Sequence, residues 1–292
     1  MQPRQIPFKK MNGLGNDFVV IDARASQFAL SPAMAASIAD RRAGAGCDQV
    51  IMLEPSHSAN VFMRILNADG SEVNACGNAS RCVASLLSPE LGNRLTIETG
   101  AGLLHAELAK DGFVTVDMGE PRFAWDEIPL SRPFADTRAL DLSYPLPDGQ
   151  VLDRPSAVNV GNPHCVFWVE DAASYDLASL GSELEHHSLF PERANISLAE
   201  IIAPNRMKLR VWERGAGLTR ACGTAACAAA VAGARTQRTG RQVEVELPGG
   251  NLFIAWNEDD NHILMTGGTE FEFAGVLCIG GDGTLVEVTR QP

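Results

Sequence analysis

The feature that most restricts how this chain folds is an internal echo. Ala75-Cys76-Gly77-Asn78-Ala79 returns as Ala221-Cys222-Gly223-Thr224-Ala225, an offset of 146 residues and half of the 292-residue length. Gly15-Asn16 returns as Gly161-Asn162 at the same offset, and a strand-like run at 94–98 returns at 241–245, an offset of 147. One shared pentapeptide carries little weight. Several anchors in register imply two structurally related halves.

Each half reads with the same order of elements. In the first, a strand is expected at 17–22, then a helix at 31–42 with Ser31 as N-cap and Pro32 in its first turn, then strands at 49–53 and 61–66. A polar loop leads to Cys76 and a run with helical spacing, followed by strands at 95–98, 103–108 and 113–118, the last two joined across Asp111-Gly112. In the second half, strands at 158–161 and 164–169 precede a helix at 176–186. Strands at 195–202 and 207–212, a Gly-rich loop, the Cys222 helix and further strands follow. The fold class is therefore α/β (α+β): a mixed, mostly antiparallel sheet or barrel wrapped around a central helix, twice over. Six prolines between 120 and 155 mark the connection. The domains are expected at 1–122 and 123–277, with 278–292 available to return to the first.

Composition removes several classes of function. A hydrophobic share of 45% and a charged share of 21% are those of an ordinary globular chain. A net charge of −12 repels phosphate backbones and anionic lipid surfaces, so nucleic acid and membrane are not expected partners. The mildest run, 221–234, is too short and too interrupted by glycine for a bilayer span. Seven cysteines, an odd number, with no secretory leader pattern, point to reduced thiols and a cytoplasmic protein.

Cys76 and Cys222 each precede a glycine and a helix-forming run, which places each at a helix N-terminus. Unpaired N–H groups and the helix dipole there favour a thiolate and can also hold a carboxylate. Gly77 and Gly223 let a ligand approach the backbone closely. Two such helix ends facing one another across a domain cleft would set two thiols on opposite sides of one small anion. One thiolate would then remove an α-proton while the opposing thiol supplies another. The pair titrates as a coupled unit. The remaining cysteines, Cys47, Cys82, Cys165, Cys227 and Cys278, lie in apolar or Ala-rich settings and read as buried hydrophobes. Polar residues recur at the same offset: Asn16 with Asn162, Gln49 with Asn195, and Asn67 with Glu213. Isolated amides are usually turn residues, but three matched pairs argue for a shared polar pocket.

The segments 11–18 (Met-Asn-Gly-Leu-Gly-Asn-Asp-Phe), 67–71 (Asn-Ala-Asp-Gly-Ser), 75–78 (Ala-Cys-Gly-Asn), 161–164 (Gly-Asn-Pro-His) and 213–224, which runs from Glu213-Arg214 to Cys222-Gly223-Thr224, together resemble diaminopimelate epimerases. The resemblance spans nearly the whole chain and keeps the family's order. It implies a cofactor-independent fold of two pseudo-symmetric α/β domains acting as a homodimer. The reaction it implies interconverts LL- and meso-2,6-diaminoheptanedioate in lysine and cell-wall precursor synthesis. By the same resemblance Cys76 and Cys222 are the acid/base thiols, and Gly77, Asn78, Gly223 and Thr224 bind the reacting α-carboxylate. Asn16, Gln49, Asn67, Asn162 and Asn195 contact substrate. Arg214 suits a bidentate grip on the distal carboxylate and Glu213 suits an ammonium, while His164 and Glu213 tune the thiols. Asn12, Ala79-Ser80, Leu218 and Ala225 depart from residues common in the family, and none of them removes a proposed ligand or thiol.

Other readings fare less well. Proline or hydroxyproline racemases share the two-cysteine logic, but proline has no second charged end for Glu213 and Arg214 to meet. A metal or redox thiol protein is disfavoured because no Cys-x-x-Cys occurs and His186-His187 lacks ligand spacing. A non-catalytic amino-acid-binding protein is separable from an enzyme by removal of Cys76. Only four lysines occur, none in a recognisable cofactor setting, so no bound cofactor is expected.

Overall fold

The computed structural model describes residues 4–26, 28–281 and 283–291. The chain divides into two compact units, Met1–Val116 with Gly267–Pro292, and Asp117–Thr266. The first half runs β1 (Arg4–Gly13), β2 (Asn16–Asp22), α1 (Pro32–Ala39), β3 (Gln49–Glu54), β4 (Val61–Asn67), β5 (Glu72–Val73), α2 (Gly77–Leu91), β6 (Arg94–Thr99), β7 (Gly102–Leu108) and β8 (Val114–Asp117). A small hairpin follows, β9 (Ser143–Pro145) with β10 (Val151–Asp153). The second half runs β11 (Ser156–Asn159), β12 (Pro163–Val169), α3 (Leu177–Glu185), β13 (Asn195–Ala203), β14 (Arg206–Glu213), β15 (Gly217–Thr219), α4 (Gly223–Arg235), β16 (Gln242–Leu247), β17 (Gly250–Trp256) and β18 (Ile263–Gly267). Finally β19 (Glu270–Ile279) pairs antiparallel with β1, and β20 (Leu285–Arg290) with β19.

The repeat holds at the level of hydrogen-bond register. In the first half β1–β2 is antiparallel, β2–β3 parallel, β3–β4 and β4–β5 antiparallel, β4–β6 parallel and β6–β7 antiparallel. The strands β11 to β17 repeat this sequence of pairings. Phe18 lies opposite Gln49 and His164 opposite Asn195, both 146 residues later. Beyond the Cys helices the offset changes: the buried face of β6 is Leu95, Ile97 and Thr99, and that of β16 is Val243, Val245 and Leu247. The correct offset there is 148, not 147. A one-residue slip would turn each strand's apolar set outward.

Both faces of each central sheet are covered. Val19, Ile21, Val50, Met52 and Leu66 pack with Met34, Ala35 and Ile38 of α1. Their neighbours Phe18, Val20, Ile51 and Leu53 are buried too, on the opposite face, and α2 lies against β1, β2, β6 and β7. Burial on two faces explains the unbroken apolar runs of β2 and β3. In the second unit α3 packs on β13 and β14, and Leu177, Leu180 and Leu184 join Phe167, Ile196 and Leu198. Ile128, Leu130, Leu140, Leu142 and Leu152 of the proline-rich stretch belong to this core. The helix α4 is buried along Ala225–Gly233 against β11 to β14, β16 and β17. Its small side chains allow that close packing: a Cβ at Gly233 would meet Thr239 Oγ1 at 2.6 Å.

Two local readings needed correction. α1 stops at Ala39 rather than reaching residue 42, because the Asp40 carboxylate accepts the Arg42 and Ala43 N–H groups and closes a turn that competes with the helix. The strand β1 escaped notice because its pattern is broken by Lys10, a buried cation, and by a bulge between Lys10 and Met11.

Candidate active site

The assigned residues collect at one end of the sheet within each unit. β2 and β3 run parallel and begin at Asn16 and Gln49, while β4 runs back and ends at Asn67. β5 then pairs with the end of β4 and hands the chain to α2, whose N-cap is Cys76. The second unit repeats this with Asn162 before β12, Asn195 opening β13, Glu213 closing β14, and Cys222 capping α4.

Both cysteines sit at the N-cap position with extended backbone (φ −150° and −131°), and the Ala225 N–H in the first turn of α4 reaches the Cys222 sulfur. A Ser or Asp at this position would satisfy the first helical N–H groups itself. A thiol is a weaker acceptor and presents its sulfur beside N–H groups that can also hold an anion.

In the first unit the Cys76 thiol lies 3.9 Å from Asn16 Oδ1, as hydrogen-bond donor, and Asn78 Nδ2 donates to the same oxygen at 3.4 Å. Asn16 Nδ2 donates to Asp48 Oδ2 at 2.9 Å. Behind it sits a charge network absent from the sequence assignments. Arg41 donates to Asp17 and Asp48, and Lys10 donates to Asp17 at 2.6 Å and to the Gly46 carbonyl. Burial opposes ionisation of Asp17, but the bonds from Arg41 and Lys10 prevail and hold its carboxyl well below the usual carboxylate range. Gln49 Nε2 donates to Asn67 Oδ1 at 2.9 Å, and Asn67 Nδ2 donates to Ser71 Oγ at 3.0 Å. Arg81, wholly buried, donates to Asn78 Oδ1 at 2.9 Å.

The second unit uses other chemistry on the same frame. Cys222 is buried, 4% exposed, and its sulfur is 3.4 Å from Thr224 Oγ1. Burial, followed by the charge of Glu213, pushes its thiol well above its ordinary value. Burial likewise raises the Glu213 carboxyl, against hydrogen bonds from Thr219 (2.5 Å) and Cys222. His164 is fully buried, with Nε2 at 2.8 Å from Asn162 Oδ1. Desolvation, helped by the Arg214 charge, depresses its pKa to about 3, so the ring is neutral and Nε2–H donates to Asn162. Asn195 Nδ2 donates to the Pro163 carbonyl, and Asn195 Oδ1 accepts from the Arg214 N–H, both at 2.9 Å. That amide braces the start of β12 against the turn after β14. Arg214 Nη1 donates to the Glu192 carbonyl at 3.0 Å. The turn is further held by Glu185, which accepts from the Trp212 ring N–H and from the Gly215 N–H.

Asn16, Cys76 and Asn78 thus touch, Gln49 touches Asn67, and Cys222 meets Glu213 and Thr224. Sequence reading missed Lys10, Asp17, Arg41, Asp48, Arg81, Glu185 and Thr219. Adjacency was the available signal for two of them, since Asp17 follows Asn16 and Asp48 precedes Gln49. A cavity of about 600 Å³ in the second unit, lined by Glu120, Arg122, Phe123 and His262 among others, contains none of the assigned residues. Among the described residues no group of three or more His, Cys, Asp or Glu is placed to hold a metal ion, and no helix is long and apolar enough to cross a membrane.

The family model described as diaminopimelate epimerase matches twice, at residues 8–124 and 156–272, once on each half. A diaminopimelate epimerase of Acidiphilium cryptum (strain JF-5) is 54% identical over 272 residues, covering 93% of this chain and 96% of that protein. One from Rhodopseudomonas palustris (strain TIE-1) is 52% identical, covering 92% of each. Among solved structures, a Bacillus anthracis phenazine biosynthesis protein of the PhzF family superposes with a TM-score of 0.66 at 18% identity, over 94% of this chain and 100% of that one. A hydroxyproline epimerase from Agrobacterium vitis gives 0.67 at 14%, over 98% and 96%. These two share the fold. By the doubled motif match and by identity above one half to a full-length relative, the chain belongs to the diaminopimelate epimerase family.

Proposed function

We propose that this protein interconverts LL- and meso-2,6-diaminoheptanedioate without a cofactor, using Cys76 and Cys222 as its acid/base pair. The observation that carries the reading is the matched placement of two cysteines as helix N-caps, each with its sulfur beside the first N–H groups of its helix. One thiolate takes the proton from the α-carbon and becomes a thiol. The electron pair left behind delocalises into the α-carboxylate, where the N–H groups at Gly77, Asn78, Gly223 and Thr224 stabilise it. The other thiol delivers its proton to the opposite face and becomes the thiolate, so each turnover exchanges the protonation states of the pair. Glu213 beside Cys222 is suited to receive that thiol's proton and to meet a substrate ammonium. His164 acts on the site through Asn162. Arg214 serves the distal carboxylate, and Asn16, Gln49, Asn67 and Asn195 complete the polar lining.

The setting proposed with it is a cytoplasmic homodimer supplying lysine and peptidoglycan precursors. The odd count of seven cysteines supports a reducing compartment. A proline or hydroxyproline racemase is the second reading, favoured by the shared fold alone. Assay of the purified protein with each substrate, no cofactor added, separates the two. Turnover of diaminopimelate is expected, and turnover of proline with none of diaminopimelate overturns the proposal.

A further inference from the structure

Four side chains of the first unit form a hydrogen-bond chain whose two ends have fixed polarity. Arg81, at one end, can only donate, and gives a hydrogen to Asn78 Oδ1 at 2.9 Å. Asn78 therefore turns its Nδ2 to Asn16 Oδ1, 3.4 Å away. Asn16 turns its Nδ2 to Asp48 Oδ2, 2.9 Å away, and a carboxylate can only accept. Exchanging O and N on either amide would set donor against donor at one end or acceptor against acceptor at the other. The acceptor end is itself anchored, since Asp48 also accepts the Asp17 N–H at 3.1 Å and an Arg41 N–H at 2.6 Å.

The consequence falls on Cys76. With Nδ2 committed to Asp48, Asn16 shows its oxygen to the Cys76 sulfur at 3.9 Å. An acceptor in that place stabilises the S–H form over the thiolate, whereas the amide N–H₂ would do the reverse. We propose that Asp48 is a positioning residue that locks Asn16 with its oxygen toward Cys76 and so strengthens the hold of Cys76 on its proton in the resting protein. The second half has no counterpart: Ala194 stands 146 residues after Asp48, and Asn162 is held by His164 instead. The two-thiol reading supplies the use of that proton, but the direction of the amide chain does not depend on it.

The test is the alkylation of Cys76, Cys222 and Cys82 by iodoacetamide, followed peptide by peptide by mass spectrometry without substrate, in the native protein and in Asp48→Asn and Asp48→Ala. Asp48→Ala removes the acceptor that holds Asn16 Nδ2 and leaves only the 3.4 Å contact from Asn78 to resist its turning, whereas Asp48→Asn removes the charge but keeps an amide oxygen able to accept from Asn16, and is expected to stay close to native. In Asp48→Ala, Cys76 is expected to react roughly three- to tenfold faster at neutral pH, its pH profile moving to lower pH, while Cys222 and the buried Cys82 keep their native rates. Arg41→Gln, which leaves the Asp48 carboxylate in place, is expected to leave the Cys76 profile close to native. An unchanged Cys76 in Asp48→Ala overturns the proposal, and so does an equal acceleration in Asp48→Asn, which would trace the effect to the lost charge rather than to the turned amide. So does acceleration of Cys82 alongside Cys76, which would mean general loosening. Failure of the native protein to turn over diaminopimelate would instead strike the functional reading and leave this measurement intact.

Discussion

The two half-sites share a backbone and differ in almost everything attached to it. Strand order, pairing direction and the N-cap position of the cysteine recur. Around Cys76 the neighbours are amides anchored on a network of Lys10, Asp17, Arg41 and Asp48, and the cysteine is partly exposed. Around Cys222 the neighbours are a carboxylate and a hydroxyl in a buried setting. Duplication preserved what a sheet cannot change without losing register, and left the side chains at the strand ends free to diverge. A reaction that needs one thiol and one thiolate has a use for unlike surroundings.

The comparison can be broken most sharply at the sulfurs. Cys76→Ala and Cys222→Ala should each lower diaminopimelate turnover by roughly 10²–10⁴-fold, because both protons must move; native turnover in either variant would reduce that half to scaffolding. The next effect concerns stability. Position 18 is Phe and its counterpart 164 is His, so only the second half carries a titratable group there. The folded pKa of His164 is depressed to about 3 from an ordinary 6.5. The unfolded chain therefore binds a proton first, and stability present at neutral pH is lost as the pH falls through the window between those values. Urea unfolding should show a cost of about 2 kcal/mol between neutrality and about pH 5 from this group. His164→Phe should remove that component, and an unaltered pH dependence would contradict the burial argument.

Smaller differences sharpen the picture. In the free native protein, iodoacetamide should modify Cys76 at least about tenfold faster than Cys222, since burial and the Glu213 charge both disfavour the Cys222 thiolate. Equal rates would remove the asymmetry. Glu213→Gln deletes the charge and keeps the shape, so Cys222 should then react severalfold faster while Cys76 is unaffected. A slower Cys222 in that variant would show the carboxylate acting chiefly as its base.

Legibility in the sequence followed locality. The repeat, the helix N-caps and the strand-end polar residues were readable because each rests on residues close in sequence or at one constant offset. The charge network was not: Lys10 lies in a strand where a cation breaks the apolar pattern, and Arg41 follows a helix that ends early at Asp40. Their partners are joined only when β2 and β3 align. Arg81 is a charged residue on a helix, with nothing in the sequence to mark it as buried, and the structure buries it completely against Asn78. Asn195, proposed as part of the polar lining, also donates to the Pro163 carbonyl and accepts from the Arg214 N–H, a bracing role that periodicity cannot reveal.

The most direct test is to run the reaction on LL-diaminopimelate in deuterated water with no added cofactor and follow the label at the α-carbon. Two-thiol chemistry predicts deuterium in the inverted product of the native protein and loss of that inversion when either Cys76 or Cys222 is replaced by alanine. Inversion that proceeds without solvent label, or that survives removal of either sulfur, would contradict it.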